Sequence, residues 1–162
     1  MNWEAISSIS DLLASLAVII SLIYLAFQVK QSNILAQGQT RKDMMELGQN
    51  ELYKIYDDPN FWDLMEKEKI NHEERIKLHV WLIASMRLRE FEWSQYRFGI
   101  VDDDTYEGHR EVIPIILGTA RTREWWNVRG KLAFNPEFII FVDELLENRA
   151  LSKYWKEIGE NW

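Results

Sequence analysis

Residues Leu12 to Val29 read LLASLAVIISLIYLAFQV, a stretch with no charged residue, no proline and no glycine. A helix needs about 20 mainly apolar residues to cross the hydrocarbon core of a bilayer, with a lower limit of about 17. Ile6 and Ile9 extend the apolar pattern upstream, past Asp11. The stretch therefore predicts one membrane-spanning helix over residues 5–29.

Two other interpretations of the stretch are a secretory signal peptide and a buried core helix of a soluble bundle. A signal peptide has a basic N-terminal region, a short apolar core and a small-residue cleavage site. Here the first residues contain Glu4 and no lysine or arginine, and Gln28 to Asn33 does not resemble a cleavage site. A helix that is apolar all round fits either a protein core or a membrane, and its length favours the membrane.

The predicted helix carries a line of small side chains on one face. Membrane helices approach each other closely where small residues meet. At about 100° per residue, this small-residue groove consists of Ser10, Ala14, Ala17 and Ser21. We expect the groove to be the contact through which the protein forms a homo-oligomer.

A polar stripe lies beside the groove and consists of Ser8, Asp11 and Ser15. An isolated acid that faces lipid at the bilayer centre costs about 2.5–3.5 kcal/mol on insertion scales. Asp11 therefore either marks the end of the span at the headgroup level or faces a partner helix or a wet cavity. In the second case the polar stripe would line the axis of an oligomer.

Charges on either side of the span predict its orientation. Lys30, Arg41 and Lys42 follow the span, whereas Glu4 precedes it. Because cytoplasmic flanks carry the excess of lysine and arginine, the C-terminal side is expected in the cytoplasm. The sequence thus predicts a single-pass protein of the inner (cytoplasmic) membrane, with a transmembrane anchor over residues 1–30 and a cytoplasmic helical domain over residues 31–162.

Composition excludes several function classes. The formal net charge of the 162 residues is −7 and no basic face is visible, which argues against nucleic acid as a partner. The absence of cysteine excludes disulfides, thiolate metal sites and cysteine nucleophiles, and is compatible with the cytoplasm. Eight tryptophans in a small domain are typical of core and interface anchors.

The remainder of the chain has helical patterns and no stretch that alternates with period two. Residues Lys30 to Tyr56 contain no proline, so the membrane helix is expected to continue into them as one rod. Asn71 with Glu74 predicts a capped helix start, and Gly99 predicts its end. Residues Asn135 to Glu137 predict another start, with proline at the first helical position. The predicted fold class is all-α, with one N-terminal transmembrane helix that continues into a small helical bundle.

Other helical segments and the core follow from the same spacing. Asp102 is expected to cap a helix that Pro114 kinks or ends, and further helices are predicted over residues 61–69 and 119–132. The domain core is expected to contain Val80, Ile83, Met86, Trp125, Trp126, Phe138 and Phe141.

Nearly the whole chain, except the tail after about Ala150, resembles a known group of proteins. Residues Ile23 to Gln31 read IYLAFQVKQ, which is similar to an Ile-Tyr-Leu-Ala-x-Gln-x-Lys/Arg-Gln motif. This motif ends the membrane helix in a large group of small bacterial proteins of uncharacterised activity. The resemblance continues through Asp58-Pro59, Glu92 to Gly99, Arg123 to Trp126 and Asn135 to Phe138. It implies an N-terminal transmembrane helix with a helical C-terminal domain, and implies no chemistry.

Candidate chemistry is sparse. His72 and His79 lack the spacings typical of zinc or di-iron sites, so no metal and no cofactor is expected. A buried Glu92 bonded to Tyr96 or to an arginine would organise the core, and the alternative is that Glu92 lies in a pocket. Three arginines lie near the tryptophan pair in the sequence: Arg121, Arg123 and Arg129. They could bind an anion or lipid headgroups, but the simpler account is that their aliphatic stems pack on the domain while their guanidinium groups stay in water.

These observations predict a membrane-anchored helical protein that self-associates and acts as a protein-interaction or structural module, without catalytic activity. Its expected partners are the lipid bilayer, further copies of itself and another protein. The alternative is a small homo-oligomeric channel or membrane-perturbing effector with the polar stripe in its pore. An enzyme with a pocket in the helical domain is the least favoured class.

Overall fold

The computed structural model describes residues 3–56, 61–152 and 154–155. These residues contain no strand and form seven α-helices and one 3-10 helix. The α-helices are α1 (Trp3–Tyr56), α2 (Asp63–Glu66), α3 (His72–Arg97), α4 (Asp103–Arg110), α5 (Val112–Ile116), α6 (Ala120–Val128) and α7 (Pro136–Leu146), with the 3-10 helix at Gly130–Ala133. The predicted all-α class is confirmed. The turn expected over residues 57–60, which includes Asp58-Pro59, lies outside the described residues.

The chain divides into two compact units, Met1–Thr40 and Arg41–Trp162. Helix α1 runs through the division without interruption, as the absence of proline predicts. The apolar run ends at Lys30, but the first buried side chain of the described residues is Met44. The division therefore falls later along α1 than the end of the apolar run, near the point where α1 begins to contribute to a core.

The first unit is a single helix with an exposed apolar surface. The large apolar side chains from Leu12 to Val29 have exposed fractions between 52% and 71%. At 1.5 Å per residue, this segment is about 27 Å long, close to the ~30 Å hydrocarbon thickness of a bilayer. Within the described residues, one helix is long and apolar enough to cross a membrane, and it lies near the N-terminus.

Helix α3 begins and ends where its capping residues predict. The Asn71 side chain accepts a hydrogen bond from the Glu74 backbone N–H at 2.9 Å, and the Asn71 N–H donates to the Glu74 carboxylate at 2.8 Å. This reciprocal pair satisfies two amides that the first turn leaves without helical partners. The helix ends before Gly99, whose φ of 68° is the left-handed conformation that glycine adopts without strain.

The predicted helix from Asp102 is divided into α4 and α5. Asp102 caps α4 and accepts from the Thr105 N–H at 2.9 Å. Pro114 lies inside α5 and has no N–H to offer to the carbonyl four residues earlier, so the continuous helix breaks at Glu111. The helix expected over residues 119–132 likewise ends at Val128 and continues as the 3-10 helix.

The helix expected over residues 61–69 is shorter than predicted, because α2 spans only Asp63–Glu66. The Arg121 guanidinium donates to the carbonyls of Leu64 and Lys67. An arginine from α6 therefore satisfies the carbonyls that a longer helix would have used.

The second unit has a core of large side chains, and most of the predicted members belong to it. Trp126, Phe138 and Met86 are fully buried, and Ile83, Trp125 and Phe141 pack against the core while partly exposed. Val80 was predicted to be buried, and this prediction is wrong, since 60% of its surface is exposed. Helix α3 buries the stripe formed by Leu78, Leu82 and Met86; Val80 lies about 200° around the helix from Leu78 and faces outward.

Candidate functional site

The residues predicted to form the small-residue groove and the polar stripe all lie exposed along α1. The small-residue groove of Ser10, Ala14, Ala17 and Ser21 and the polar stripe of Ser8, Asp11 and Ser15 belong to the first unit. A straight helix keeps the two sets on separate faces, as the spacing of about 100° per residue implies.

Three serine hydroxyls of this helix donate to their own backbone. Ser8 donates to the Glu4 carbonyl at 2.9 Å, Ser15 to the Asp11 carbonyl at 2.8 Å and Ser21 to the Ala17 carbonyl at 2.8 Å. Serine hydroxyls commonly donate to a carbonyl one turn earlier in helices. These three donors are therefore satisfied without a partner helix or water.

A buried charged cluster joins α3 to α4. The Arg89 Nε lies 2.8 Å from the Glu92 Oε2, and the His109 Nδ1 lies 2.9 Å from the Glu92 Oε1. The Glu92 side chain is only 1% exposed and the Arg89 side chain 7%. We call Arg89, Glu92 and His109 the Arg–Glu–His cluster.

The contact with Glu92 occupies one of the two ring nitrogens of His109, the Nδ1. The His109 side chain is 28% exposed, and its other ring nitrogen, Nε2, remains for a further interaction. Nearby, burial raises the pKa of the Tyr106 phenol, and the Glu92 carboxylate raises it further.

The Arg–Glu–His cluster lines a cavity of about 340 Å³ in the second unit. Ligand pockets typically have volumes of about 300–1,000 Å³ and mainly apolar walls with a few polar groups. Most of the other lining residues are apolar, and they come from α1, α3, α5 and the segments beside α2 and after α7: Met44, Met45, Trp62, Trp81, Val112, Ile115, Ile116 and Trp155, with Gly48 and Gln49. Both expectations for Glu92 therefore apply, because it belongs to a buried network and also lines a pocket.

Aromatic rings form one wall of this cavity. The rings of Trp62 and Trp155 stack with their centroids 4.1 Å apart, and Trp62 meets Trp81 edge to face at 6.3 Å. The Trp155 indole N–H donates to the Ile115 carbonyl at 3.2 Å. The Trp81 Nε1 is buried and has no hydrogen-bond partner within the described part of the chain. Buried indole N–H groups usually find a partner, so Trp81 is unusual.

Arg121 and Arg123 have a structural role near helix ends. Besides the contacts of Arg121 with the region of α2, the Arg123 Nε donates to the Leu117 carbonyl at 2.8 Å, and its terminal nitrogens reach the carbonyls of Leu146 and Arg149. These carbonyls lie at and beyond the C-terminal ends of α5 and α7, where arginine binds favourably. Burial lowers the pKa of Arg123. The two arginines thus hold backbone carbonyls, which favours the packing interpretation over anion binding.

The histidines of α3 do not converge on a metal site. His79 accepts a hydrogen bond from the Trp125 indole N–H at 2.8 Å. Among the described residues, no group of three or more histidine, aspartate and glutamate side chains is arranged to hold a metal ion.

Comparison with known proteins gives no relative: no family model, no curated protein and no solved structure matches the chain.

The Arg–Glu–His cluster was only partly predictable. Glu92 and Arg89 are three residues apart on one helix, a spacing at which side chains meet, and their pairing could be anticipated. His109 comes from α4, seventeen positions later, and only the packing of α4 on α3 brings it to Glu92. The cavity has the same origin, since its walls come from separate parts of the chain.

Proposed function

We propose that the protein is a single-pass protein of the inner (cytoplasmic) membrane, and that its second unit is a cytoplasmic helical module that binds other molecules rather than catalysing a reaction. The observation that carries the proposal is the exposed apolar surface of α1 from Leu12 to Val29. Exposure of these apolar side chains to water is unfavourable, and their transfer into lipid is favourable.

A count of side chains supports insertion. Residues Leu12 to Val29 contain eleven leucine, isoleucine, valine and phenylalanine residues. Each contributes about −0.3 to −0.6 kcal/mol at the centre of an inserted helix, or roughly −3 to −7 kcal/mol together. Asp11 costs at most about 2.5–3.5 kcal/mol on the same kind of scale, and less near the interface. The apolar residues therefore outweigh the acid for most positions of the helix in the bilayer.

The proposal includes self-association through the small-residue groove. Small residues permit close approach of two membrane helices. The hydroxyl of Ser21 is bonded within its own helix, so this end of the groove can meet a second helix without leaving a hydroxyl proton unpaired.

Carbonate extraction with matched arginine variants tests membrane insertion. The double variant Ile20→Arg/Ile23→Arg places two charges in the span, at side chains that are 59% and 53% exposed. The control Ile140→Arg/Ile76→Arg makes the same change at isoleucines of the second unit that are 58% and 51% exposed. Two central arginines cost about 5–7 kcal/mol on insertion scales, which is enough to cancel the favourable insertion free energy of the apolar side chains.

The wild-type chain and the control variant should stay in the membrane pellet, and the Ile20/Ile23 variant should move to the supernatant. Release of the wild-type chain, or equal release of the two double variants, would refute insertion through this segment.

Crosslinking tests self-association separately. Ala17→Leu adds bulk inside the groove, whereas Ala26→Leu makes the same change about 180° away around the helix. We expect crosslinked dimers or larger species in lipid for the wild-type chain and for Ala26→Leu, and fewer for Ala17→Leu. A wild-type chain that is monomeric in nanodiscs and in native membranes would exclude the oligomer and leave the anchor.

A further inference from the structure

We propose that the cavity beside the Arg–Glu–His cluster binds a small, mainly apolar molecule that carries a carbonyl or carboxylate oxygen. The Trp81 indole N–H is the proposed donor to that oxygen. The inference concerns the second unit alone and does not depend on insertion of α1 in a membrane.

The cavity walls define the apolar part of this molecule. Trp62, Trp81 and Trp155 supply aromatic surface, and aliphatic and methionine side chains supply most of the rest. Methionine is flexible and polarisable and adapts to varied ligand shapes. A charged or strongly polar molecule would lose its hydration on entry without recovering it from these walls. The body of the ligand is therefore apolar, with an aromatic ring the best match to the tryptophans.

The polar groups define the one functional group that the molecule must carry. The Glu92 carboxylate is already paired with groups of the protein: its Oε1 lies 2.9 Å from the His109 Nδ1, and its Oε2 forms an ion pair with the Arg89 Nε at 2.8 Å that lacks hydrogen-bond geometry. The Trp81 N–H is a donor with no partner among the described residues. A ligand that completes the site must bring an acceptor, and a carbonyl or carboxylate oxygen is the compact choice.

The cluster also limits the charge of the ligand. The Arg89 and Glu92 charges cancel, so neither a strong anion nor a strong cation is required. A neutral ketone or amide and a carboxylate share the same oxygen acceptor. The probes used in the experiment distinguish a neutral carbonyl from a carboxylate.

Fluorine NMR of the detergent-solubilised full chain, with 5-fluorotryptophan at all eight tryptophans, tests the proposal. Three probes of similar shape are used: 1-acetylnaphthalene with a neutral carbonyl, 1-naphthoate with a carboxylate, and 1-ethylnaphthalene with no oxygen. Empty micelles give the fraction of each probe that partitions into detergent. Signals are assigned by single tryptophan-to-phenylalanine substitutions.

We expect the signals of Trp62, Trp81 and Trp155 to shift with at least one oxygen-bearing probe, while Trp93 and Trp126 stay unchanged. 1-Ethylnaphthalene should bind about 3- to 10-fold more weakly, the effect of one hydrogen bond. Trp81→Phe should remove that difference, because phenylalanine keeps the apolar wall and loses the donor. The control Trp93→Phe changes a core tryptophan that does not line the cavity and should preserve the difference.

Preference for the carbonyl or for the carboxylate would identify the source of the oxygen, and either supports the proposal. No shift of the three cavity tryptophans with any probe at millimolar concentration would overturn it. Equal binding of 1-ethylnaphthalene and both oxygen-bearing probes to the wild-type chain would also overturn it, since the cavity would then be a purely apolar space. The Trp126 signal reports whether each variant is folded.

Discussion

Removal of the Glu92 carboxylate should be among the most destabilising single changes in the second unit. Glu92→Leu deletes two charge-assisted contacts, at 2.8 Å to Arg89 and 2.9 Å to His109. The Arg89 contact is an ion pair without hydrogen-bond geometry, whereas the hydrogen bond between His109 and the carboxylate contributes about 1.5–3 kcal/mol. The change also leaves the guanidinium of Arg89, whose side chain is 7% exposed, without its carboxylate. Breaking a buried ion pair on one side typically costs about 3–5 kcal/mol, and we expect a loss in that range.

Urea unfolding of the detergent-solubilised full chain, followed by tryptophan fluorescence, measures this loss. The double variant Arg89→Met/Glu92→Leu is the informative control. It removes both charges, and apolar replacement of a whole buried pair is often neutral or stabilising. The double variant should therefore be more stable than Glu92→Leu alone. If Glu92→Leu unfolds at the wild-type urea concentration, the cluster is not a buried, paired network and the reasoning fails.

Three further predictions concern single positions. Gly118→Ala should destabilise the fold, because the new Cβ would lie 2.8 Å from the Pro114 carbonyl oxygen. Gly108→Ala should instead stabilise α4 by up to about 1 kcal/mol, because nothing lies within 4 Å of its Cβ. Thermal melts in which Gly118→Ala is the more stable of the two variants would contradict this packing. Tyr106→Phe should leave stability within about 0.5 kcal/mol or raise it, because the buried hydroxyl has no partner among the described residues and its removal leaves no unpaired group; a loss of 2 kcal/mol in urea would show a missing bond. The hydrogen bonds from Arg149 to Glu111, at 2.6 and 2.7 Å, hold the pKa of Glu111 below its ordinary 4.5, so their contribution is complete above that pH and is lost as the pH falls through the lowered pKa. Both side chains are more than a third exposed, so this contribution is below about 1 kcal/mol, and Glu111→Gln should flatten the acid side of a stability–pH curve by no more than that.

Local signals in the sequence predicted the helix boundaries well where one side chain caps its own helix. Asn71 with Glu74 and Asn135 with its following proline act within a few residues, so the sequence contains all the information that the cap requires. The continuous helix α1 was predictable for the same reason, since no residue within it interrupts the backbone hydrogen bonds.

Features that depend on packing between helices were not predictable in detail. Val80 lies in an apolar stretch, but only the choice of the face that contains Leu82 as the buried one places it in solvent. The end of α2 depends on a guanidinium from α6, and the Glu92–His109 contact depends on how α4 packs on α3. No spacing rule within one segment contains this information.

Cysteine accessibility tests membrane insertion of α1 most directly, because the chain contains no native cysteine. Single cysteines replace Ser7, Ile20 and Thr40 in turn, and a membrane-impermeant maleimide is applied to intact and then to permeabilised spheroplasts of a bacterial host. We predict that the cysteine at position 7 reacts in intact spheroplasts, that the one at position 40 reacts only after permeabilisation, and that the one at position 20 stays unreactive in both. Rapid labelling at position 20 in the folded protein, or identical access at positions 7 and 40, would contradict a membrane-spanning helix.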